Sequence, residues 1–319
     1  MLRRFWPLAL ALAMLPGCAS ANTTALAEAA AIQGSAIHTG QWVAACSNER
    51  VCIAIAPLRD DAGDDERAHI QFIFGAEIAD AQSVAILRGG EEIEVFSPLA
   101  VHLLTQELLK RGAADPVHRS EQAVRYHIPR QGFAKVMDVF RHWRELPAPQ
   151  PRSTATVTPI PAPLIEDIGV PAALADVARR CPAGHMGESL QAWSGFGGKL
   201  LWRAGCGSEG LNPVSFWFTA GPQGAPPEPV QFTDGASAVT PYNSWFEEST
   251  GFLRVTHFFG QHRGNSPDDC GIYRAYGWGV DGMELVERRI MPVCGTGIGP
   301  KGWFMTYRAA VFNAPDSGP

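Results

Sequence analysis

Six of the seven cysteines stand in three close pairs, Cys46 with Cys52, Cys181 with Cys206 and Cys270 with Cys294, and they carry the most definite chemistry in the chain. An even set behind an export signal reads as a disulfide framework. No C-x-x-C pair is present, so zinc spacing does not compete with that reading. The densest collection of possible metal ligands is His257 and His262 with Glu247, Glu248, Asp268 and Asp269. A zinc or calcium site needs at least three such groups on one point. Strand alternation instead puts His257 on an apolar face with Leu253, Val255 and Phe259, where a satisfied, partly buried histidine is the expectation. His262 belongs to a polar loop. In the turn-like Pro241–Trp245 run, Tyr242 and Trp245 are placed to line a groove for glycan or peptide. The expected ligand-binding residues are therefore Tyr242, Trp245, His257 and His262. No catalytic residue, metal site or cofactor is expected: no G-x-S-x-G elbow and no H-E-x-x-H occur, and no spacing singles out a triad. Cys294–Gly302 imitates a phosphate loop but runs into a strand, not a helix N-terminus, so it reads as a glycine-rich loop. Asp60–Glu66 lacks the ligand alternation of a calcium loop and reads as a solvated turn.

The elements that must position these residues fall into two groups. Prolines at 147, 149, 151, 159, 161 and 163 stop helix and central strand alike, which makes 147–163 a semi-extended linker. Before it, residues 35–146 read as a small α+β domain. Its strands are expected at Trp42–Ala45, Val51–Ala56, His69–Gly75, Ser83–Leu87 and Glu91–Phe96. Its first helix is signalled by Ser97-Pro98 and by Leu99, Leu103, Leu104 and Leu108 at helical spacing. Phe133, Val136, Met137, Phe140 and Trp143 draw the apolar stripe of the second. After the linker, residues 164–319 read as a leading helix over Pro171–Arg180 and then a mainly antiparallel β domain, a sandwich or partly closed barrel. Strands are expected at Ser189–Trp193, Lys199–Arg203, Val214–Thr219, Val230–Phe232, Phe252–Phe259, Ile272–Trp278, Met283–Arg289 and Trp303–Ala309, with a hairpin at Asp281-Gly282. The fold class is thus α+β. The linker disfavours pairing across the halves, which leaves Cys46–Cys52. Cys270 and Cys294 flank the Asp281-Gly282 hairpin, and Cys181–Cys206 then ties the leading helix to the second strand.

Residues 1–21 read as a secretory leader: Arg3 and Arg4 supply the positive start and Phe5–Leu15 the apolar run. Leu15-Pro16-Gly17-Cys18 resembles the lipobox of bacterial lipoproteins, in which the cysteine becomes the lipid-bearing first residue. Ala19-Ser20-Ala21 offers an ordinary cleavage site beside it. The mature chain starts at Cys18 on the first reading and at 22 on the second, with 22–34 as a tether. Charge points the same way: 26 Lys and Arg face 32 Asp and Glu, a formal net charge of −6, and the lysines at 110, 135, 199 and 301 are scattered. Binding to a phosphate backbone needs clustered cations, so nucleic acid is excluded as a partner. A lipid on Cys18 is the only expected membrane attachment.

Trp42–Ala54, WVAACSNERVCIA, resembles the opening of a group of secreted bacterial proteins catalogued as domain of unknown function 1176. Asp269-Cys270-Gly271 and Leu285–Cys294, LVERRIMPVC, resemble its closing pattern, and the Pro-rich middle is similar as well. The resemblance covers most of the mature chain in spaced fragments and implies an envelope location with no established reaction. The expectation is a periplasmic protein or outer-membrane lipoprotein of a Gram-negative bacterium. It would serve binding or envelope integrity through an unidentified envelope ligand or protein. A hydrolase acting on envelope glycan or peptide is the alternative.

Overall fold

Every residue of β2 (Trp42–Cys46) is buried. Successive side chains of a strand point to opposite faces, so β2 must lie between two apolar layers. A computed structural model of the chain shows both. It describes residues 36–49, 51–60, 68–75, 83–88, 91–110, 117–121, 124–145, 162, 164–165, 169–175, 190–194, 198–209, 212–221, 226–259, 269–279, 282–292, 294 and 296–309. Cys18 and the leader, the tether, nearly all of the linker, Cys181, His262 and all of the acidic turn but Asp60 lie outside the described residues.

The first half is built on a six-stranded antiparallel sheet. It runs β1 (Ile37–Thr39), β2, β3 (Cys52–Pro57), then β5 (Ala68–Phe74), β6 (Ser83–Arg88) and β7 (Glu91–Val95). Between β3 and β5 the short β4 (Arg59–Asp60) leaves it to pair with β9 (Val124–Ile128), which also pairs β8 (Val117–Glu121). Two helices, α1 (Pro98–Leu109) and α2 (Phe133–Glu145), cover one face of the large sheet. There Trp42, Ala54, Phe72 and Phe74 meet Phe133, Val136, Phe140 and Trp143 in one core. Trp42 packs against Phe133 with ring centres 4.8 Å apart and donates its indole N–H to the Pro129 carbonyl at 2.8 Å.

The α2 stripe is the one expected from the sequence. The α1 stripe is not: Val101, Leu104, Thr105 and Leu108 are buried, whereas Leu99 and Leu103 are 69% and 58% exposed. Four leucines at helical spacing span more arc than the sheet covers, and the Thr105 hydroxyl makes itself buriable by donating to the Val101 carbonyl at 2.8 Å. Ser97 does cap this helix, accepting from Ala100 N–H.

Two further antiparallel sheets form the second half. One runs β10 (Leu190–Ser194), β11 (Leu200–Glu209), β12 (Asn212–Ala220), β13 (Glu228–Pro229). A two-stranded ribbon, β14 (Thr233–Asp234) and β15 (Ser237–Ala238), follows. The other sheet runs β16 (Trp245–Glu247), β17 (Phe252–Phe258), β18 (Gly271–Trp278), β19 (Met283–Met291), β20 (Phe304–Arg308). The expected strand at Val230–Phe232 is instead the two residues of β13, because Pro229 and the turn into β14 cut the pairing short. Of the leading helix, residues 172–175 are described as helical and the rest of that stretch lies outside the described residues. The protein is mainly antiparallel β with few helices, and no sheet closes into a barrel among the described residues.

The layers stack in a definite order. Trp193, Leu201 and Trp217 of the β10–β13 sheet pack against Leu253, Val255 and Tyr276 of the β16–β20 sheet. The opposite face of that second sheet meets the first half: Val43, Ala45 and Ile55 share a core with Cys270, Tyr273, Met291, Trp303 and Phe304. The second face of β2 is therefore covered by residues from beyond the linker. Asn48, in the loop after β2, adds a polar seam. Its side-chain amide donates to the Arg308 carbonyl at 2.7 Å and accepts from Arg308 N–H at 2.8 Å, as a neighbouring strand would.

Candidate ligand-binding site

The cysteines take up bracing roles. Cys46–Cys52 closes the β2–β3 hairpin and Cys270–Cys294 joins the start of β18 to the segment after β19. Cys206 is also disulfide-bonded. Such bonds persist in an oxidising compartment, not in the cytosol, and no helix among the described residues is long and apolar enough to cross a membrane. Asp269 lies close to the second cystine. Disulfide sulfurs are poor metal ligands, however, and Asp269 Oδ2 accepts from Gly297 N–H at 2.9 Å. That bond and the Trp303 indole donating to the Ile298 carbonyl at 2.7 Å shape the glycine-rich loop, which enters β20 through a short turn at Pro300–Gly302. Gly271 is needed for space. A Cβ there would stand 2.2 Å from the His257 carbonyl oxygen.

The residues around His257 are dispersed among separate tasks. Glu247 pairs with Arg254 across β16 and β17, and Glu248 accepts from the Trp193 indole. His257 stacks on Tyr242 with ring centres 4.8 Å apart and meets Phe259 edge-on. Burial, and then the nearby Arg274 cation, hold the His257 pKa below its ordinary value, so the ring is neutral at neutral pH. Its partner Tyr242 is fixed by a pinned turn. Asn243 adopts φ 40° and bonds Asn212 and the Thr256 carbonyl, while Ser244 accepts from the buried Trp217 indole at 2.8 Å. Trp245 is 41% exposed at the edge strand β16. Tyr242 is half-buried against His257, and Trp245 is the more exposed aromatic of this run.

Sequence reading missed a concavity beside β12. β12 has its outer edge crossed twice: Val230 N–H donates to the Trp217 carbonyl at 2.8 Å, and Ser215 N–H to the Pro241 carbonyl at 3.4 Å. The two crossing segments are themselves joined, Val239 N–H to the Phe232 carbonyl at 2.9 Å. Between them and β12 lies a groove of about 480 Å³. Val214, Phe216, Phe218, Val230, Val239 and Pro241 line it, with Gln231 and Thr240 as its polar members. Phe216 is 42% exposed there, an aromatic ring offered to solvent from a strand whose neighbours Ser215 and Trp217 are buried. The sequence signal was available in the NPVSFWFTA run, where Phe216 and Phe218 alternate away from Trp217.

Small-molecule sites are concave, mainly apolar and carry few polar groups, and a volume of about 300–1,000 Å³ is usual. The groove has that composition and size. Comparison with known proteins adds nothing to it: no family model, no curated protein and no solved structure matches this chain.

Proposed function

We propose that this is an exported cell-envelope protein that binds a small apolar ligand in the groove beside β12, with its disulfide-braced sheets as a rigid frame. The groove carries the reading: exposed Phe216 with Phe218, Val230, Val239 and Pro241 around about 480 Å³ gives apolar surface a place to be removed from water. The neutral probe N-phenyl-1-naphthylamine tests it. Wild-type protein should bind with saturable fluorescence enhancement, and Phe216→Glu should weaken binding at least tenfold while the fold is unchanged, because Phe216 is already exposed. No saturable binding, or equal binding by the variant, removes the proposal.

The same reading places the protein in the periplasm or on the outer membrane of a Gram-negative bacterium, as a member of the domain-of-unknown-function-1176 group. Its oxidised cysteines support an extracytoplasmic address, and the Leu15–Cys18 run supports a lipid on Cys18. Several acyl chains hold a protein far more firmly than one, at ~0.8 kcal/mol per buried CH₂. Mass spectrometry of the mature N-terminus should find lipidated Cys18, and Cys18→Ser should release the protein from membranes. A mature chain starting at unmodified Asn22 would exclude the anchor.

A further inference from the structure

Among the described residues, each half-buried arginine but one sits on a carboxylate. Arg130 pairs with Glu107, Arg254 with Glu247 and Arg289 with Glu287, while Arg274 and Arg288 share Asp234 at 2.9 Å each. Arg203 is the exception. It stands on β11, cross-strand from Gln191 and Trp217, on the face that carries Trp193 and Leu201 toward the β16–β20 sheet. Its Nε donates to Ser215 Oγ at 3.0 Å and its Nη1 to Gln191 Oε1 at 3.1 Å. Both acceptors are neutral, and Ser215 is only 1% exposed. Nη2 donates to no protein acceptor among the described residues, yet it is not sealed from solvent.

This arrangement fixes a guanidinium without neutralising it. Desolvating a cation is unfavourable unless an opposite charge compensates it. Here burial alone pushes the Arg203 pKa down from its ordinary value. Serine and glutamine satisfy two nitrogens of the planar fork and leave the third without a protein acceptor among the described residues. A guanidinium held this way is prepared for an anionic oxygen, because charge-assisted bonds to carboxylate or phosphate are its strongest. We infer that Arg203, positioned by Ser215 and Gln191, is an anion-binding site that takes a carboxylate or phosphate group of a ligand. Arg203 shares the sheet face of Trp217, opposite to Phe216 and Phe218, and the inference does not rest on the apolar groove.

Inorganic phosphate and acetate serve as probes, titrated into the mature wild-type protein at constant ionic strength set with sodium chloride. A ligand that binds only the folded state raises its thermal midpoint with concentration. The midpoint should rise saturably with at least one of the two anions, and intrinsic fluorescence should change over the same range, since Trp217 is the cross-strand neighbour of Arg203. Whichever anion acts at lower concentration identifies the group. Arg203→Gln should lose at least tenfold in affinity, and Ser215→Ala should lose less. Should Arg203→Gln fail to fold, Arg203→Lys is read instead, because it keeps the charge and loses the fork. A flat wild-type titration with both anions overturns the site, and so does unchanged affinity in the Arg203 variant that folds.

Discussion

Val43→Asp will destabilise the protein by roughly 3–5 kcal/mol, the scale of a buried charge left without a partner. Val43 is 5% exposed and points away from the helices, into the core that Ala45 and Ile55 share with Tyr273, Trp303 and Phe304. The side chains that share this core are apolar and offer an aspartate no hydrogen-bonded charge partner of their own. The expected result is a large drop in the urea midpoint. A second readout isolates the interface. With a protease site engineered into 147–161 and cut, wild-type halves should co-migrate on gel filtration, and Val43→Asp halves should separate. A midpoint that does not move, or cut variant halves that still co-migrate, would show that the shared core contributes little.

That interface was only partly legible in the sequence. The prolines of 147–163 describe the chain locally: they forbid helix and strand through the segment, and they say nothing about which surfaces the two flanking halves turn to each other. The division into residues 35–146 and 164–319 remains a proposal about chain organisation, and the contact between the halves is a tertiary fact. One local signal did exist. Trp42–Cys46 contains no polar residue at all, and a strand that reads as continuously apolar is covered on both faces. Strand positions elsewhere followed from alternation, and α2 from its 3.6-residue stripe. α1 followed from its leucine spacing and its Ser97 cap, but leucine marks two faces of this helix, and only the sheet decides which is buried.

The motifs that carried the resemblance turn out to hold the layers together. Trp42 anchors the helix-covered core, Asn48 imitates a strand against β20 from 260 positions away, and Asp269 and Gly271 fix the loop and the close crossing beside the second disulfide. Motif strength therefore reported architecture. The groove and Arg203 were harder to see. A groove exists only once two segments cross β12, and an arginine is unneutralised only relative to carboxylates that the fold brings or fails to bring within reach.

The second large effect is expected from the Cys270–Cys294 bond. The two cysteines are 24 residues apart in sequence and bracket β18, the central strand of the five-stranded sheet, and its neighbour β19, which both contribute to the two cores the sheet joins. In the chain-entropy account, opening a loop of that length costs about 3.5 kcal/mol, against about 2.4 kcal/mol for the six-residue separation of Cys46 and Cys52. Cys270→Ala with Cys294→Ala should therefore lower stability by roughly 3–4 kcal/mol, more than the corresponding Cys46 and Cys52 pair. Cys270 is also 0% exposed, so its truncation removes packing against the first half as well. Both effects act in the same direction. Denaturation in urea of the double variant beside Cys294→Ala alone separates them: the single variant loses the cross-link and keeps the buried Cys270 side chain, whereas the double alanine variant loses cross-link and packing together. The double variant should be the less stable of the two. If the Cys46 and Cys52 double variant proves the more damaging pair, loop length does not govern these bonds, and the hairpin that presents Asn48 to β20 is the more critical brace.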